Sequence, residues 1–394
     1  MRRIAVITGT RAEYGLLESV LDAIDAHRGL KLLLVVTGTH LTTDSIRDIQ
    51  RPIAARVPMH KKGSGVVSKG GRRGPKTTPD PFSPSEKAKK VSDTIMRAKK
   101  VPNPFSRADD VQALGRGMAG MGRALDKLSP AVVLVLGDRV EALAGALAGQ
   151  VGGHRVAHIH GGDRAEGVAD EAMRHAISKL AHLHFAASAQ SRRRLVRMGE
   201  VAERVYNTGS PAIDALRGVV PAEDAPDVIV MQHPIGASDG DEYKWMMATL
   251  KATANHRRLV MSPNHDPGRT GIVRAIADHG VTPTDHLPRA AFLALLAGAR
   301  VLVGNSSAGL IEAAALRTAC VNLGPRQAGR ERPRSVIDGD YGVASTRRAL
   351  RDALALNTTK IRHPYGDGHA GQRIARLLAS IDLDDVPLRK RNAY

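Results

Sequence analysis

Residues suited to acid/base chemistry and anion binding recur where short apolar runs end. Ile4-Ala5-Val6-Ile7-Thr8 leads into Gly9-Thr10-Arg11-Ala12-Glu13-Tyr14-Gly15. Gly9 lets backbone approach a ligand, and Arg11 can hold a phosphate or carboxylate with two prongs. Neither G-x-G-x-x-G nor a Walker lysine accompanies them, so this is not a dinucleotide or P-loop signature. Val132 to Leu136 ends in Gly137-Asp138-Arg139, and Asp138 reads either as an acid facing a cleft or as the cap of the next helix. Then come His158-Ile159-His160-Gly161-Gly162-Asp163 and, shortly after, Glu166, Asp170, Glu171, Arg174 and His175. Residues two apart in a strand share a face, so His158 and His160 are expected to project together. Imidazoles and carboxylates beside a glycine-lined pocket suit proton transfer. A metal would need ligands beyond H-x-H and Asp163, so acid/base work fits better.

The later part of the chain offers a different chemistry. Gln232-His233-Pro234 follows one apolar run and Ser262-Pro263-Asn264-His265-Asp266 another. Gly304-Asn305-Ser306-Ser307-Ala308-Gly309 opens a helical pattern that carries Glu312, and Gly324 to Arg330 contains Arg326 and Arg330. Free N–H groups at a helix start, two hydroxyls and a forked guanidinium suit a diphosphate, each charge-assisted bond contributing roughly 1.5–3 kcal/mol.

These segments require strands that end in one place. Ile4–Thr8, Leu32–Val36, Val132–Leu136, Val156–Ile159 and His184–Ala187 read as strands apolar on both faces, separated by amphipathic stretches at 14–26, 140–150 and 170–180. After Val219 to Pro226, a Pro/Ala/Asp-rich linker, the rhythm restarts. Strands are expected at 228–231, 259–261, 301–303 and 320–323, and helices near 242–255, 269–278, 289–297 and 307–316. The fold class is α/β: two Rossmann-like, doubly wound domains facing a cleft. Their expected extents are 1–218 and 219–394, the second binding the nucleotide and the last helix packing back on the first.

The length of 394 residues suits two domains, and 42% hydrophobic with 25% charged residues excludes general disorder and fibrous repeats. The net charge of +19 is concentrated. His60 to Arg107 holds thirteen Lys/Arg against three Asp/Glu, leaving +9 for the rest. That basic, low-hydrophobicity insertion is expected to be a solvent-exposed, disordered segment dispensable for catalysis. With Phe82 as the one aromatic near its basic cluster, nucleic-acid binding is not expected. The lone Cys320 excludes a disulfide framework. No apolar run approaches the ~20 residues of a membrane span, and Met1-Arg2-Arg3 precedes too short an apolar stretch for a signal peptide. A cytoplasmic location is expected.

In their order along nearly the whole chain, the segments resemble those of the UDP-N-acetylglucosamine 2-epimerases, in the hydrolysing branch that feeds sialic acid and related nonulosonates. The matching pieces are 9–15, Thr37-Gly38-Thr39-His40-Leu41, 137–139, 158–163, Asp170-Glu171 with Arg174 to Ile177, Gly209-Ser210-Pro211, 304–309 and 324–330. The resemblance implies a glycosyltransferase-B-type fold and a UDP-sugar in the cleft. The implied reaction removes the sugar C2 proton, expels UDP to leave a 2-acetamidoglucal, and adds water to release N-acetylmannosamine. No metal or nicotinamide is implied, and a homodimer follows by analogy. Asp138 matches the family's acid/base aspartate, Asp170 its downstream acid and His233 its second-domain histidine, with His160 and Asp163 completing the catalytic set. Arg11 matches an arginine beside the diphosphate, and Ser306, Ser307, Glu312 and Arg326 match nucleotide contacts. His40, Arg139 and Asn264 complete the substrate-binding set. The chain departs from the family pattern at His160, where some members carry a catalytic glutamate. It also departs at Asp163, where a glutamate often closes the motif, and at Leu16, where some relatives have lysine. Rival readings are an epimerase of a UDP-2,4-diacetamido-trideoxyhexose, a glycosyltransferase of the same fold, and a non-catalytic UDP-sugar sensor.

Overall fold

Uninterrupted Val, Ile and Leu runs can be buried on both faces only inside a covered sheet, and that is where they lie. The computed structural model describes residues 1–60, 108–165, 170–264, 266–285 and 287–393. The bulk of the basic insertion (61–107) lies outside the described residues. The first sheet contains β1 (Arg2–Thr8), β2 (Leu30–Thr37), β3 (Ile53–Val57), β4 (Val132–Leu136), β5 (Arg155–Ile159), β6 (Leu183–Ala186) and β7 (Val205–Asn207), in the order β3-β2-β1-β4-β5-β6-β7. The second contains β8 (Val228–Met231), β9 (Arg258–Val260), β10 (Val301–Gly304), β11 (Ala319–Leu323) and β12 (Val336–Gly339), in the order β12-β11-β10-β8-β9. Every pairing within the two sheets is parallel. The expected α/β class with two doubly wound sheets is the observed one.

Helices α1 (Arg11–Ala26), α2 (Ala108–Leu128), α3 (Val140–Val151), α4 (Asp170–Leu180), α5 (Ala189–Arg197) and α6 (Pro211–Asp214) accompany the first sheet. Alternate residues of its central strands feed two separate cores. Ile4, Val6 and Leu134 pack with α1, whereas Ala5, Ile7, Val133 and Val135 pack with α2 and α3. Helices α7 (Asp239–Ala252), α8 (Arg269–Asp278), α9 (Arg289–Gly298), α10 (Ser307–Leu310), α11 (Glu312–Ala315) and α12 (Val343–Ala355) accompany the second sheet. The single helix expected over 307–316 is two turns broken at Ile311.

The chain then crosses back. Helix α13 (Ala370–Ser380) inserts Ile374, Ala375 and Leu378 beside Leu17, Leu21 and Ile24 of α1. Asp214 caps it, accepting the N–H groups of Ala370 and Gly371 at 2.8 and 2.6 Å. Filling such positions with Ala would cost ~2–5 kcal/mol for a leucine. No helix among the described residues is long and apolar enough to cross a membrane.

Candidate active site

The carboxyl ends of β4 and β5 and the start of α4 build one charged cluster. Arg174, nearly inaccessible on α4, pairs with Asp138 at the end of β4 and with Glu171 one turn back. Glu171 also takes the Ala165 N–H at 2.7 Å and lies 3.1 Å from His175 Nε2. Burial opposes the charge of Glu171, but His175 and the Ala165 N–H outweigh it and hold its carboxyl below the usual range. Asp138 is thus tied to an arginine and is not a helix cap: Arg139 occupies the cap position of α3. Asp170 opens α4. Arg174 itself is pushed down to about 9 by burial, aided by Arg330 and Arg194.

His158 and His160 do not project together. Strand β5 ends at Ile159, and His160 has a left-handed φ of 66°, which breaks the alternation. His158 is fully buried, bonded through Nε2 to the Gly137 carbonyl at 2.7 Å and through Nδ1 to Ser178 at 3.1 Å. Burial drives it down to about 3, so it is neutral. His160 turns to Asp163, 2.8 Å from Nδ1, and to the Ser210 hydroxyl, 2.9 Å from Nε2. Asp163 also accepts from Ser191 at 2.7 Å. Burial would raise this carboxyl, but His160, Arg330 and Ser191 leave it lowered. With both imidazoles saturated by protein partners, neither has a nitrogen to spare for a metal.

The second sheet's strand ends gather a mostly neutral cluster. Asn305 clamps the turn after β8 reciprocally, accepting the His233 N–H at 2.7 Å and donating to the His233 carbonyl at 2.8 Å. His233 Nδ1 accepts the Asn264 N–H at 3.2 Å. That bond places the imidazole proton on Nε2, and burial beside Arg326 drives His233 down to about 3. His233 is therefore a neutral hydrogen-bond donor. Asn264 donates to Asp266 at 2.6 Å, Arg326 lies 3.9 Å from Asp266, and Gln327 donates to the Asn305 carbonyl at 2.9 Å. Ser306 caps α10, but a four-residue helix adds little dipole, so the expected anion site there rests on N–H groups and hydroxyls alone. Ser307 is the first residue of that turn. Glu312 is buried against Arg289 at 3.5 Å.

Other expected site residues stand apart from these clusters. Arg11 grips Asp48 through Nη2 and Nε, each at 2.7 Å, within the first half. His40 is fully buried, between Thr8 and Ser45 and edge-on to Tyr14. Arg139 lies 3.5 Å from Glu141.

The two halves meet through residues the sequence did not single out. Ser188 donates to Glu331, and the Tyr365 hydroxyl donates to the Glu331 carbonyl at 2.8 Å. Ala187, Ala212, Ile213, Ile311 and Tyr365 form a small shared core. Ser210 donates its N–H to the Tyr365 carbonyl at 2.8 Å, so the residue bonded to His160 also seats the returning chain. Within the loop after β11, Arg326 stands at the His233 cluster while Arg330 acts on Asp163 and Arg174. One short loop of the second half thus contacts the second cluster through Arg326 and reaches the first through the charge of Arg330.

The family model for UDP-N-acetylglucosamine 2-epimerase matches residues 105–379. The chain belongs to that family. A Legionella pneumophila protein named UDP-N,N'-diacetylbacillosamine 2-epimerase (hydrolyzing) is 32% identical over all of both chains. A Neisseria meningitidis UDP-N-acetylglucosamine 2-epimerase is 28% identical, covering 99% of this chain and 98% of its own. In fold, the chain is similar to the Methanocaldococcus jannaschii UDP-GlcNAc 2-epimerase solved with UDP-GlcNAc and UDP. The TM-score is 0.71 at 17% identity, covering 95% and 99% of the two chains. Arg174 stood in a matching segment of the sequence but was given no role in the site; its place one helical turn beyond Glu171, the spacing at which opposite charges pair, was the available signal.

Proposed function

We propose that the protein is a hydrolysing 2-epimerase that converts UDP-N-acetylglucosamine and water into N-acetylmannosamine and UDP. One observation carries this reading: a single loop of the second half sets Arg326 3.9 Å from Asp266 in a neutral donor cluster suited to a departing diphosphate, and its Arg330 is near enough for its charge to act on a carboxylate cluster suited to proton transfer. A carbon with no adjacent carbonyl loses its proton only if a good leaving group departs, and UDP is one. Asp138 takes the C2 proton. Its pairing with Arg174 favours the ionised form, and its side chain is 23% exposed, whereas that of Asp163 is 5% exposed. The C1–O bond breaks with its electron pair going to UDP, leaving a C1–C2 double bond. His233 Nε2–H and Arg326 meet the charge that develops on the leaving oxygens. Water then adds its oxygen to C1, and a proton returns to C2 on the opposite face. Asp170, on the same helix as Glu171, is the proposed partner acid for that return. Asp163 and His160 hold the β5 turn in place, and Ser306, Ser307 and Glu312 line the nucleotide side.

A second substrate reading, a UDP-2,4-diacetamido-trideoxyhexose, is favoured by the name and full-length match of the Legionella relative. Incubation in D₂O with each sugar nucleotide, followed by NMR, tests both. Free 2-epimerised sugar with deuterium at C2 is expected, and the higher kcat/KM names the substrate. Product that keeps its original C2 hydrogen would refute the mechanism, and UDP-linked product would refute hydrolysis.

A further inference from the structure

Two fully buried polar residues of the first half take no part in the steps above: His158 on β5 and Ser178 on α4. They form one hydrogen-bonded line. His158 Nε2 lies 2.7 Å from the Gly137 carbonyl, and its Nδ1 lies 3.1 Å from the Ser178 hydroxyl. A carbonyl can only accept, so Nε2 carries a proton and donates it. In the neutral ring that burial imposes, Nδ1 is then an acceptor, and Ser178 donates to it. The Arg174 carbonyl, 3.1 Å from the same hydroxyl, already belongs to the hydrogen-bond ladder of α4. Gly161 leaves room for the line: a Cβ there would lie 2.9 Å from His158 Nδ1 and 3.0 Å from Ser178 Oγ.

The far end of the line is the peptide that carries Asp138. Gly137 has a left-handed φ of 77°, and its N–H is held by the Ile159 carbonyl at 3.0 Å. That bond fixes the peptide before Gly137 and leaves the Gly137–Asp138 plane to be set by its carbonyl, which His158 holds. A rotation of this plane would swing the Asp138 carboxylate away from Arg174, which grips it from α4. We propose that His158 is a positioning residue for Asp138. Its Nε2–H sets the Gly137–Asp138 peptide plane, and its Nδ1 ties that plane to Ser178, one helical turn beyond Arg174. Asp138 and its arginine are thereby both referred to one rigid imidazole. That this alignment serves removal of the C2 proton rests on the proposed function.

Position and activity are read separately. Imidazole nitrogen NMR of the wild-type full chain should show His158 protonated at Nε2 and bare at Nδ1 near neutral pH. In backbone amide spectra without substrate, the Asp138 signal should move in H158M. It should stay near its wild-type place in H158Q, whose amide still reaches the Gly137 carbonyl. H158M should lower kcat on the UDP-sugar by roughly 10–100-fold, the scale of a misplaced reacting group, with KM and UDP affinity unchanged. H158Q should stay within about fivefold of wild type, having lost only the Ser178 bond. A histidine that merely filled the core would give the opposite order, because methionine packs there without burying an unpaired amide oxygen. In a D138N background H158M should cost nothing further, since it acts through that carboxylate. A proton on His158 Nδ1, an Asp138 amide unmoved in H158M, or H158Q no faster than H158M would each overturn the proposal. If the amide moves as stated while D138N keeps wild-type turnover, the positioning stands and the proposed base falls.

Discussion

The two strand-end clusters are built on opposite principles. At β4, β5 and α4 the groups are charged and compensated, with Asp138 and Glu171 sharing Arg174 and Asp163 tied to His160. At β8 to β11 a neutral imidazole and two asparagines are held by backbone, and the main full charges are Arg326 and Asp266. Compensated charges keep a carboxylate ionised and aimed. Neutral donors in a buried setting gain strength only when negative charge appears in front of them. The proposed function places proton transfer in the first half and leaving-group stabilisation in the second, and that division can be broken at single residues.

The largest effect is expected at Asp138. D138N should lower UDP release by ~10²–10⁴-fold, the contribution of a positioned base, with UDP affinity within a few-fold of wild type by calorimetry. UDP release that persists would move the base elsewhere in the cluster. H233A comes next, with kcat reduced by up to ~10²–10³-fold for one lost donor. Because burial holds His233 at about 3, it is neutral throughout the range from pH 5 to 9. A neutral-range limb in the kcat profile that vanishes in H233A would contradict its role as a standing N–H donor. R326A should act chiefly on KM, by roughly 10–100-fold, because a diphosphate contact is present before and during the reaction. A fall in kcat at constant KM would instead join Arg326 to the transition state. The smallest effect is expected between the halves. S188A removes one hydroxyl–carboxylate bond to Glu331, about 1 kcal/mol, and should change kcat/KM by about fivefold or less.

What the sequence revealed depended on how deeply a residue is buried. Central strands were legible because both faces are covered. The unread strands β3, β7 and β12 are all sheet edges, where residues 53–56 alternate between half-buried and exposed before the buried Val57 and Val205 to Asn207 spans three residues. Helix α2 was hidden by Gly115, Gly117, Gly120 and Gly122, which weaken any propensity signal. At the site, Asp138 and His233 stood out by type and position. The left-handed turn at His160 did not, because nothing in His-Ile-His-Gly-Gly announces a histidine outside the strand. Glu13 read equally well as a surface residue. It is buried and turns back to accept the Gly9 N–H, a local contact that the residue types alone do not announce.

The returning helix α13 has a consequence for synthesis. The first half's core includes Ile374, Ala375 and Leu378, which leave the ribosome long after β7. At ~5–20 residues per second, about eight to thirty-five seconds separate the last strand of that half from the helix that covers it. Through that interval the apolar flank of α1 waits uncovered while the second sheet is made. The nascent protein thus carries an open seam, and its first half becomes whole only after its second.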